Sequence, residues 1–245
     1  MSAAAVEHPC DGEPERPKWQ ERQEPESLLE SANRLSEQLP GHRVEIIGGV
    51  ITVAPSPDGA HANALTSLMV PFLAAGLHSG ESKVLQAVGV WLPGGPSDYA
   101  IPDLAVVDAD FDEHPNDNNC YDPGAFRLVL EVTSGNYQND LRNKVTAYAA
   151  AKIPVYVILD RRHGRVHVLT EPLPGGYDNH EVYAPGHKVT LPDSIGAEVT
   201  LDVTALVAAG RPSPKAKPRP KPPEEPDPSQ EQETEQEPPR EPSEG

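Results

Sequence analysis

The sequence predicts an α/β domain flanked by polar, proline-rich ends. Residues 155–160 form a continuous apolar run, which is typical of a strand buried on both faces. A helical pattern precedes this run and is ended by Pro154, and another apolar run, 126–132, precedes the helix. A strand, a helix and a strand in this order predict a parallel pair joined by a right-handed crossover.

The first elements of the chain have the patterns of a helix and a hairpin. Apolar residues at helical spacing predict a helix over 25–39, with Ser27 as its candidate cap. Two strands are predicted over 43–53 because the pair Gly48 and Gly49 is a recognised hairpin turn.

The next elements lead into the charged middle of the chain. A second helix is predicted after Gly59, and 83–92 has the composition of one strand. Pro102 and Asp103 then open the apolar run 104–107, which predicts a short buried strand.

The run 126–132 contains a carboxylate, Glu131. An ionised Glu inside a buried strand is so unfavourable that it is normally paired, protonated or bound to a metal. Asp103 begins the neighbouring predicted strand, so the two carboxylates can share one divalent cation.

The helix that follows begins at Asn139 and Asp140, a favourable N-cap pair. Three residues at helical spacing form its packed face: Leu141, Val145 and Tyr148. Lys144 lies beside that face, and we expect its ammonium group to reach over the sheet toward Glu131.

After the run 155–160, turn residues separate further strands over 165–170 and 181–183 that extend the sheet, and 201–209 is a short helix or edge element. The first turn carries a basic cluster that is either a solvated turn or a phosphate clamp: Arg161, Arg162, His163 and Arg165.

Taken together, these segments resemble a known family. The stretches "VEIIGGVITVAPSPDGAHANALTSL", "IPDLAVVD", "LVLEVTSGNYQNDLRNKVTAYAAAKIPVYVILD" and "LDVTALV" look like the Uma2 or DUF820 family of endonucleases. That family is a branch of the PD-(D/E)XK restriction-endonuclease-like superfamily, and the resemblance covers roughly Pro40 to Ala209.

The resemblance implies a restriction-endonuclease-like core of order αβββαβ with additional β-hairpins. It also implies a DNA substrate, with Mg²⁺ or substituting Mn²⁺ held by Asp103 and Glu131, and Lys144 positioning or activating the attacking water. The chain departs from the general superfamily pattern at Thr133, where lysine is usual, and matches the branch in which the lysine lies on the next helix.

Four other residues have supporting roles in the prediction. Glu45 and His61 match positions that the family favours, with an outward-facing strand residue and a solvated or locally hydrogen-bonded first-turn histidine as the alternatives. Asp140 either positions Lys144 or forms an ordinary helix pair with it, and Ser134 either contacts substrate phosphate or caps a turn.

Composition divides the chain into a disordered extension over 1–24, a domain over 25–210 and a disordered tail over 211–245. The tail contains eleven of the 29 prolines, and a basic stretch followed by an acidic one makes it either a solvated tail or an arm for a protein partner. Two alternatives to the nuclease therefore stay open: an inactive nuclease-fold module that binds DNA or protein, and an accessory protein that acts through its tail.

The net charge of −18 is not confined to the ends, since residues 41–210 alone carry −10. This acidity argues against tight non-specific DNA binding, most of which comes from phosphate neutralisation. Clustered carboxylates over 108–122 do not have the spacing of a calcium-binding EF-hand loop and predict a solvated loop.

Two cysteines, Cys10 and Cys120, lie far apart in polar surroundings, which excludes a disulfide framework and a cysteine-based zinc site. The sequence has neither a signal-peptide pattern nor an apolar run of transmembrane length, so we expect a soluble cytoplasmic protein that does not bind membranes. A homodimer is the oligomer we expect by analogy, because cutting two strands requires two sites.

Overall fold

The computed structural model describes residues 26–113, 118–133 and 139–212. Helix α1 (Leu28–Gln38) leads into strands β1 (Arg43–Ile47) and β2 (Val50–Ala54) and helix α2 (Gly59–Ala74). The middle elements are β3 (Ser82–Gln86), β4 (Gly89–Trp91), β5 (Tyr99–Ala100), β6 (Leu104–Asp108), β7 (Cys120–Tyr121), β8 (Phe126–Val132) and α3 (Lys144–Ala150). The last are β9 (Val155–Asp160), β10 (Arg165–Leu173), β11 (Gly176–Tyr183), β12 (Lys188–Thr190), β13 (Thr200–Asp202) and α4 (Val203–Ala209).

The larger sheet has six strands in the order β11, β10, β9, β8, β6, β3. Strands β8 and β9 are its parallel pair, joined through α3, and the other neighbours are antiparallel. The elements α2, β3, β6, β8, α3 and β9 occur in this order, with β4, β5 and β7 inserted between them, so the predicted αβββαβ order and the α/β class are confirmed.

Alternate residues of the central strands enter two separate hydrophobic cores. Leu128 and Leu130 pack with α2 and α4 on one face of the sheet, whereas Val129 packs on the opposite face with Tyr148 of α3 and Tyr156. Because both faces are covered, β8 and β9 are mostly apolar and do not alternate between apolar and polar residues. Each fully buried Leu or Val contributes about 1.5–3 kcal/mol of transfer free energy.

A second sheet has five short strands in the order β2, β1, β5, β4, β7, and β12 pairs with β13 in a third. The prediction of one strand over 83–92 is wrong, because β3 and β4 belong to different sheets. Between them Ala87 takes a left-handed φ of 53° and donates its N–H to the carbonyl of Asp103 at 3.4 Å. At this turn the chain leaves the larger sheet and enters the smaller one.

Of the two predicted helix caps, one is confirmed and the other is wrong. Ser27 does cap α1, in a capping box with Glu30. The N-cap pair predicted at 139–140 is wrong, because 139–143 forms a π-helical turn before α3. In that turn the side chain of Asn143 donates to the Asn139 side-chain oxygen at 3.0 Å, so Asn139 is bound to another side chain rather than capping backbone N–H groups.

Buried carboxylates fix two turns at the edges of the sheets. Asp98 accepts from the backbone N–H groups of Gly48 and Gly49, at 2.7 and 3.0 Å, and so holds the tip of the predicted hairpin. Asp160 accepts from the N–H groups of Arg162 and His163 after β9. Among helices in the described ranges, none is long and apolar enough to cross a membrane.

Candidate active site

Lys144 is buried with only 2% of its side chain exposed, although it carries a charge. It is the first residue of α3, and its ammonium nitrogen lies 2.7 Å from Glu131 Oε1 and 2.9 Å from Glu45 Oε1. Glu131 comes from the parallel strand β8 and Glu45 from β1 of the other sheet. One lysine therefore joins the helix to both sheets.

Asp103 lies immediately before β6 and has three partners. Its Oδ2 accepts from the backbone N–H of Val132 at 2.7 Å and lies 3.0 Å from Nε2 of His61. The guanidinium of Arg43 donates to its Oδ1. These contacts place the Asp103 carboxylate beside the end of β8, close to Glu131.

Arg43 lies between the two principal carboxylates. Its Nη2 contacts Asp103, and its Nη1 donates to the carbonyl of Ile101 at 2.7 Å and is 3.5 Å from Glu131 Oε2. Arg43 was not among the predicted site residues. Arg43 and Glu45 are two apart in β1, so the alternation of side chains along a strand was a signal that both face the same side.

Tyrosine hydroxyls complete the polar contacts of the cluster. Tyr148 was predicted only as a packing residue, yet its hydroxyl donates to Glu131 Oε1 at 3.0 Å. The hydroxyl of Tyr156 donates to the carbonyl of Asp140 at 2.9 Å and so fixes the π-helical turn. Asp140 Oδ1 is 3.9 Å from the Lys144 ammonium, a longer contact than those of Glu131 and Glu45.

The structure thus brings together six of the seven residues singled out from the sequence: Glu45, His61, Asp103, Glu131, Asp140 and Lys144. Glu45 and His61 are 3% and 4% exposed, so the outward-facing and solvated alternatives are wrong. The prediction for Ser134 lies outside the described residues.

Thr133 and the basic turn after β9 have structural contacts. Thr133 is buried, and its Oγ1 accepts from the backbone N–H of Arg161 at 3.0 Å. Arg161 donates to the carbonyl of Gly210 and to the carboxylate of Asp58, which joins α4 to the start of α2. Arg161 is therefore neither a solvated turn residue nor a phosphate clamp.

Burial and mutual charge set the ionisation of the cluster. Burial lowers the pKa of Lys144, but the carboxylates of Glu131 and Glu45 reverse this and raise it well above its usual range. Burial raises the pKa of Asp103, but the hydrogen bond from His61 and the charge of Arg43 hold it well below its usual range. Lys144 and Asp103 are both ionised at neutral pH.

The cluster has more negative than positive groups. It contains four carboxylates and two permanent cations: Glu45, Asp103, Glu131, Asp140, Arg43 and Lys144. Burial raises the pKa of Asp140 to about 6, with neighbouring carboxylates adding to the rise. Burial likewise raises the pKa of Glu131, against the opposing charge of Lys144. When all four carboxylates are ionised, the cluster has a surplus of two negative charges, which one divalent cation would neutralise.

The donor set fits a hard divalent cation in its chemistry, since carboxylate oxygens are the ligands that Mg²⁺ takes in proteins. It is not fully arranged for one. Within the described ranges, no three side chains of His, Cys, Asp or Glu are grouped as a metal site, and Arg43 lies where Asp103 and Glu131 would share a cation. Metal binding would require the guanidinium to move.

Comparison with known proteins identifies the family. A family model for Uma2, described as "Putative restriction endonuclease", matches residues 29–204, which include every described charged residue of the cluster. The chain belongs to the Uma2 family.

The fold of this Uma2 chain agrees with a solved structure. A crystal structure from Anabaena variabilis, described as "a putative nuclease belonging to DUF820", has a TM-score of 0.55 at 16% identity and covers 69% of this chain and 91% of its own. It is one of four structure chains that match, whereas no curated protein matches. The Uma2 chain thus has a nuclease-like α/β fold, and its charged cluster lies where the two sheets meet.

Proposed function

We propose that the chain is a Mg²⁺-dependent endonuclease that hydrolyses phosphodiester bonds in DNA, with Asp103, Glu131 and Lys144 as its catalytic residues. The observation that carries the proposal is the position of Asp103 and Glu131 at the ends of neighbouring strands, with Glu131 lying 2.7 Å from a buried lysine that is itself ionised. The family description and the nuclease neighbour support the same reaction class.

Hydrolysis forms a bond from a water oxygen to phosphorus and breaks the bond from phosphorus to the leaving deoxyribose oxygen; the water loses one proton and the leaving oxygen takes one up. A divalent cation held by Asp103 and Glu131 would act as a Lewis acid and lower the pKa of bound water. The protein's own part is to hold these carboxylates. Val132 N–H and His61 orient Asp103, and Lys144 and Tyr148 orient Glu131.

Lys144 acts in this proposal as an ammonium ion. Its raised pKa supports the protonated form near neutral pH, and a protonated amine has no free electron pair with which to act as a general base. An ammonium beside the carboxylates donates hydrogen bonds, so Lys144 orients the attacking water and stabilises negative charge that develops on the phosphoryl oxygens.

Arg43 supplies the contact to the substrate phosphate. Its side chain is 23% exposed, whereas those of Asp103 and Glu131 are 2% exposed, so Arg43 is the most exposed of these three side chains. A guanidinium binds phosphate oxygens through two parallel N–H donors. In this proposal Arg43 leaves Asp103 when the cation binds and turns to the phosphate.

The test is cleavage of supercoiled and single-stranded DNA by the purified protein in Mg²⁺, Mn²⁺ or EDTA. Asp103→Asn and Lys144→Met should each lower metal-dependent cleavage at least about a hundredfold. Asp193→Asn, which changes an exposed carboxylate outside the cluster, should cut as the wild type does. Cleavage that persists in EDTA or in Asp103→Asn would overturn the proposal.

A non-catalytic nuclease-fold module that binds DNA or a protein is the second candidate function. It is favoured by the pairing of Glu131 and Glu45 with Lys144 and of Asp103 with Arg43, since these ion pairs satisfy the carboxylates without a metal. Calorimetry and the cleavage assay together distinguish the two functions. Binding of Mn²⁺ that is lost in Asp103→Asn, with no cleavage of any DNA by the wild type, would favour the module.

A further inference from the structure

A cleft of about 550 Å³ opens beside the charged cluster. Arg43, His61 and Asp103 line this cleft and also a small cavity of about 40 Å³ that reaches Lys144 and Glu131. The cleft therefore adjoins the proposed catalytic groups. Its size lies within the range of about 300–1,000 Å³ that is usual for sites of small organic ligands.

The walls of the cleft combine apolar groups with uncharged polar ones and carry almost no charge. Of its lining residues, only Arg43 and Asp103, at the end shared with the cluster, carry permanent charges. Five others bear carboxamide or hydroxyl groups on exposed or half-exposed side chains: Asn33, Ser36, Gln86, Asn118 and Asn119. Carboxamides both donate and accept hydrogen bonds without charge, as the edges of nucleobases do.

Strained backbone is concentrated around this cleft. Five non-glycine residues of the described chain have positive φ, and three of them line it: Ala87, Asn118 and Asn119. Such conformations are unfavourable and tend to cluster at ligand sites. Close packing holds this wall, because a Cβ at Gly89 would come within 2.8 Å of the Asn119 carbonyl oxygen.

We infer that the cleft binds one unstacked nucleotide of the substrate, with the base among the carboxamides and its phosphate at the end nearest Arg43. A tract of phosphates would need cations along the walls, which the cleft does not have. A base needs hydrogen-bonding groups of both kinds, and these are present. The inference rests on the proposed function and specifies its substrate as a single strand or a duplex with one nucleotide flipped out.

This mode of recognition is compatible with the acidity of the domain. Residues 41–210 carry a net charge of −10, which disfavours a long duplex footprint held by phosphate contacts. Insertion of one nucleotide into a neutral cleft instead draws its affinity from hydrogen bonds and burial of the base. Unpaired bases require the least free energy to enter, so single-stranded DNA is the preferred substrate.

The test uses dAMP as the probe, with the full chain in EDTA so that metal plays no part, and saturation-transfer NMR as the readout. We expect the adenine protons to receive the strongest saturation and 2-deoxyribose 5-phosphate to bind at least tenfold more weakly. Ser36→Trp, at an exposed position of α1, fills the cleft and should weaken dAMP binding at least tenfold.

Gln38→Trp is the matched control, since Gln38 is also exposed on α1 but does not line the cleft, and it should bind dAMP as the wild type does. Asn33→Ala provides a second variant without added bulk and should weaken binding. Equal affinity of Ser36→Trp, Asn33→Ala and the wild type would overturn the inference, as would equal binding of dAMP and 2-deoxyribose 5-phosphate.

The cleavage assay separates this inference from the proposed function. If Ser36→Trp still cuts DNA with metal and its KM for single-stranded DNA is unchanged, the cleft is not the nucleotide site. The proposal that the protein is a nuclease would still stand. Binding of dAMP in the cleft by a protein that cuts no DNA would support the site and overturn the nuclease.

Discussion

The ammonium of Lys144 lies 2.7 Å from a carboxylate oxygen of Glu131, and neither side chain is more than 2% exposed. Removing one partner of such a buried pair leaves an uncompensated charge in a medium that solvates it poorly. The pair therefore couples the stability of the domain to the groups that we propose for catalysis.

Lys144→Met should lower the free energy of unfolding by about 3–5 kcal/mol, because Glu131 and Glu45 lose their nearest cation. Urea unfolding followed by circular dichroism measures the loss. Lys188→Met, at an exposed lysine, is the control and should change stability little.

Glu131→Gln should recover part of the stability that Lys144→Met loses, since the double variant no longer buries an unpaired carboxylate at this position. The measurement is a double-mutant cycle on the same unfolding free energies. Strictly additive losses would contradict a direct interaction between the two side chains.

Arg43→Gln should raise the affinity for Mn²⁺ at least about tenfold, which is about 1.4 kcal/mol. The substitution removes a positive charge that contacts Asp103 and lies 3.5 Å from Glu131. Titration calorimetry at pH 7 measures the affinity, with Arg34→Gln as the control at an exposed arginine. Weaker Mn²⁺ binding in Arg43→Gln would show that the guanidinium does not compete with the cation.

Asp98→Ala should destabilise the domain by about 2–3 kcal/mol, because Asp98 is buried and accepts hydrogen bonds from Gly48 and Gly49. The expected change is a lower midpoint of thermal unfolding. Asp178→Ala removes an exposed carboxylate from a strand and serves as the comparison. Similar midpoints for the two variants would show that the hairpin tip does not depend on Asp98.

The stability contributed by Asp160 should be lost in acid. Burial raises the pKa of Asp160, but hydrogen bonds from the His163 side chain and backbone outweigh this and hold it below its ordinary value. The unfolded chain, with a pKa of about 3.9, then binds more protons than the folded chain as the pH falls below about 4.

The expected measurement for Asp160 is therefore a difference that depends on pH. The unfolding free energy of wild type minus that of Asp160→Asn should be largest above about pH 5 and should shrink as the pH falls through 4 toward 3. A difference that stays constant over this range would show that the carboxylate's charge is not what stabilises the turn.

Much of the core was predictable because its signals are local. Continuous apolar runs identified β8 and β9, and a charged residue inside one of them identified Glu131. Lys144 was placed correctly because helical spacing alone puts it beside the packed face of α3. These patterns depend only on the period of the element and on the free energy of burying charge.

Other features depend on contacts between distant segments. The break at Ala87 uses a positive φ without glycine, and it is supported by a bond to Asp103, sixteen residues away. In the sequence, Arg43 has no feature that distinguishes it from an ordinary strand residue. Its role follows only from the position of β1 beside Asp103 in the fold. The π-helical turn before α3 depends on a hydroxyl from Tyr156, which no local pattern contains.

Three short crossings join the sheets: one between β3 and β4, one between β5 and β6, and one between β7 and β8. Because these connections are short, the strands of one sheet cannot separate far without breaking the hydrogen bonds between the strands of the other. The amides of β1 and β8 should consequently exchange with solvent deuterium in one cooperative event rather than in two. A mutation that destabilises the smaller sheet at any position would then also displace the side chains of the charged cluster. Loss of activity on mutation in this domain therefore does not by itself identify a residue that contacts substrate.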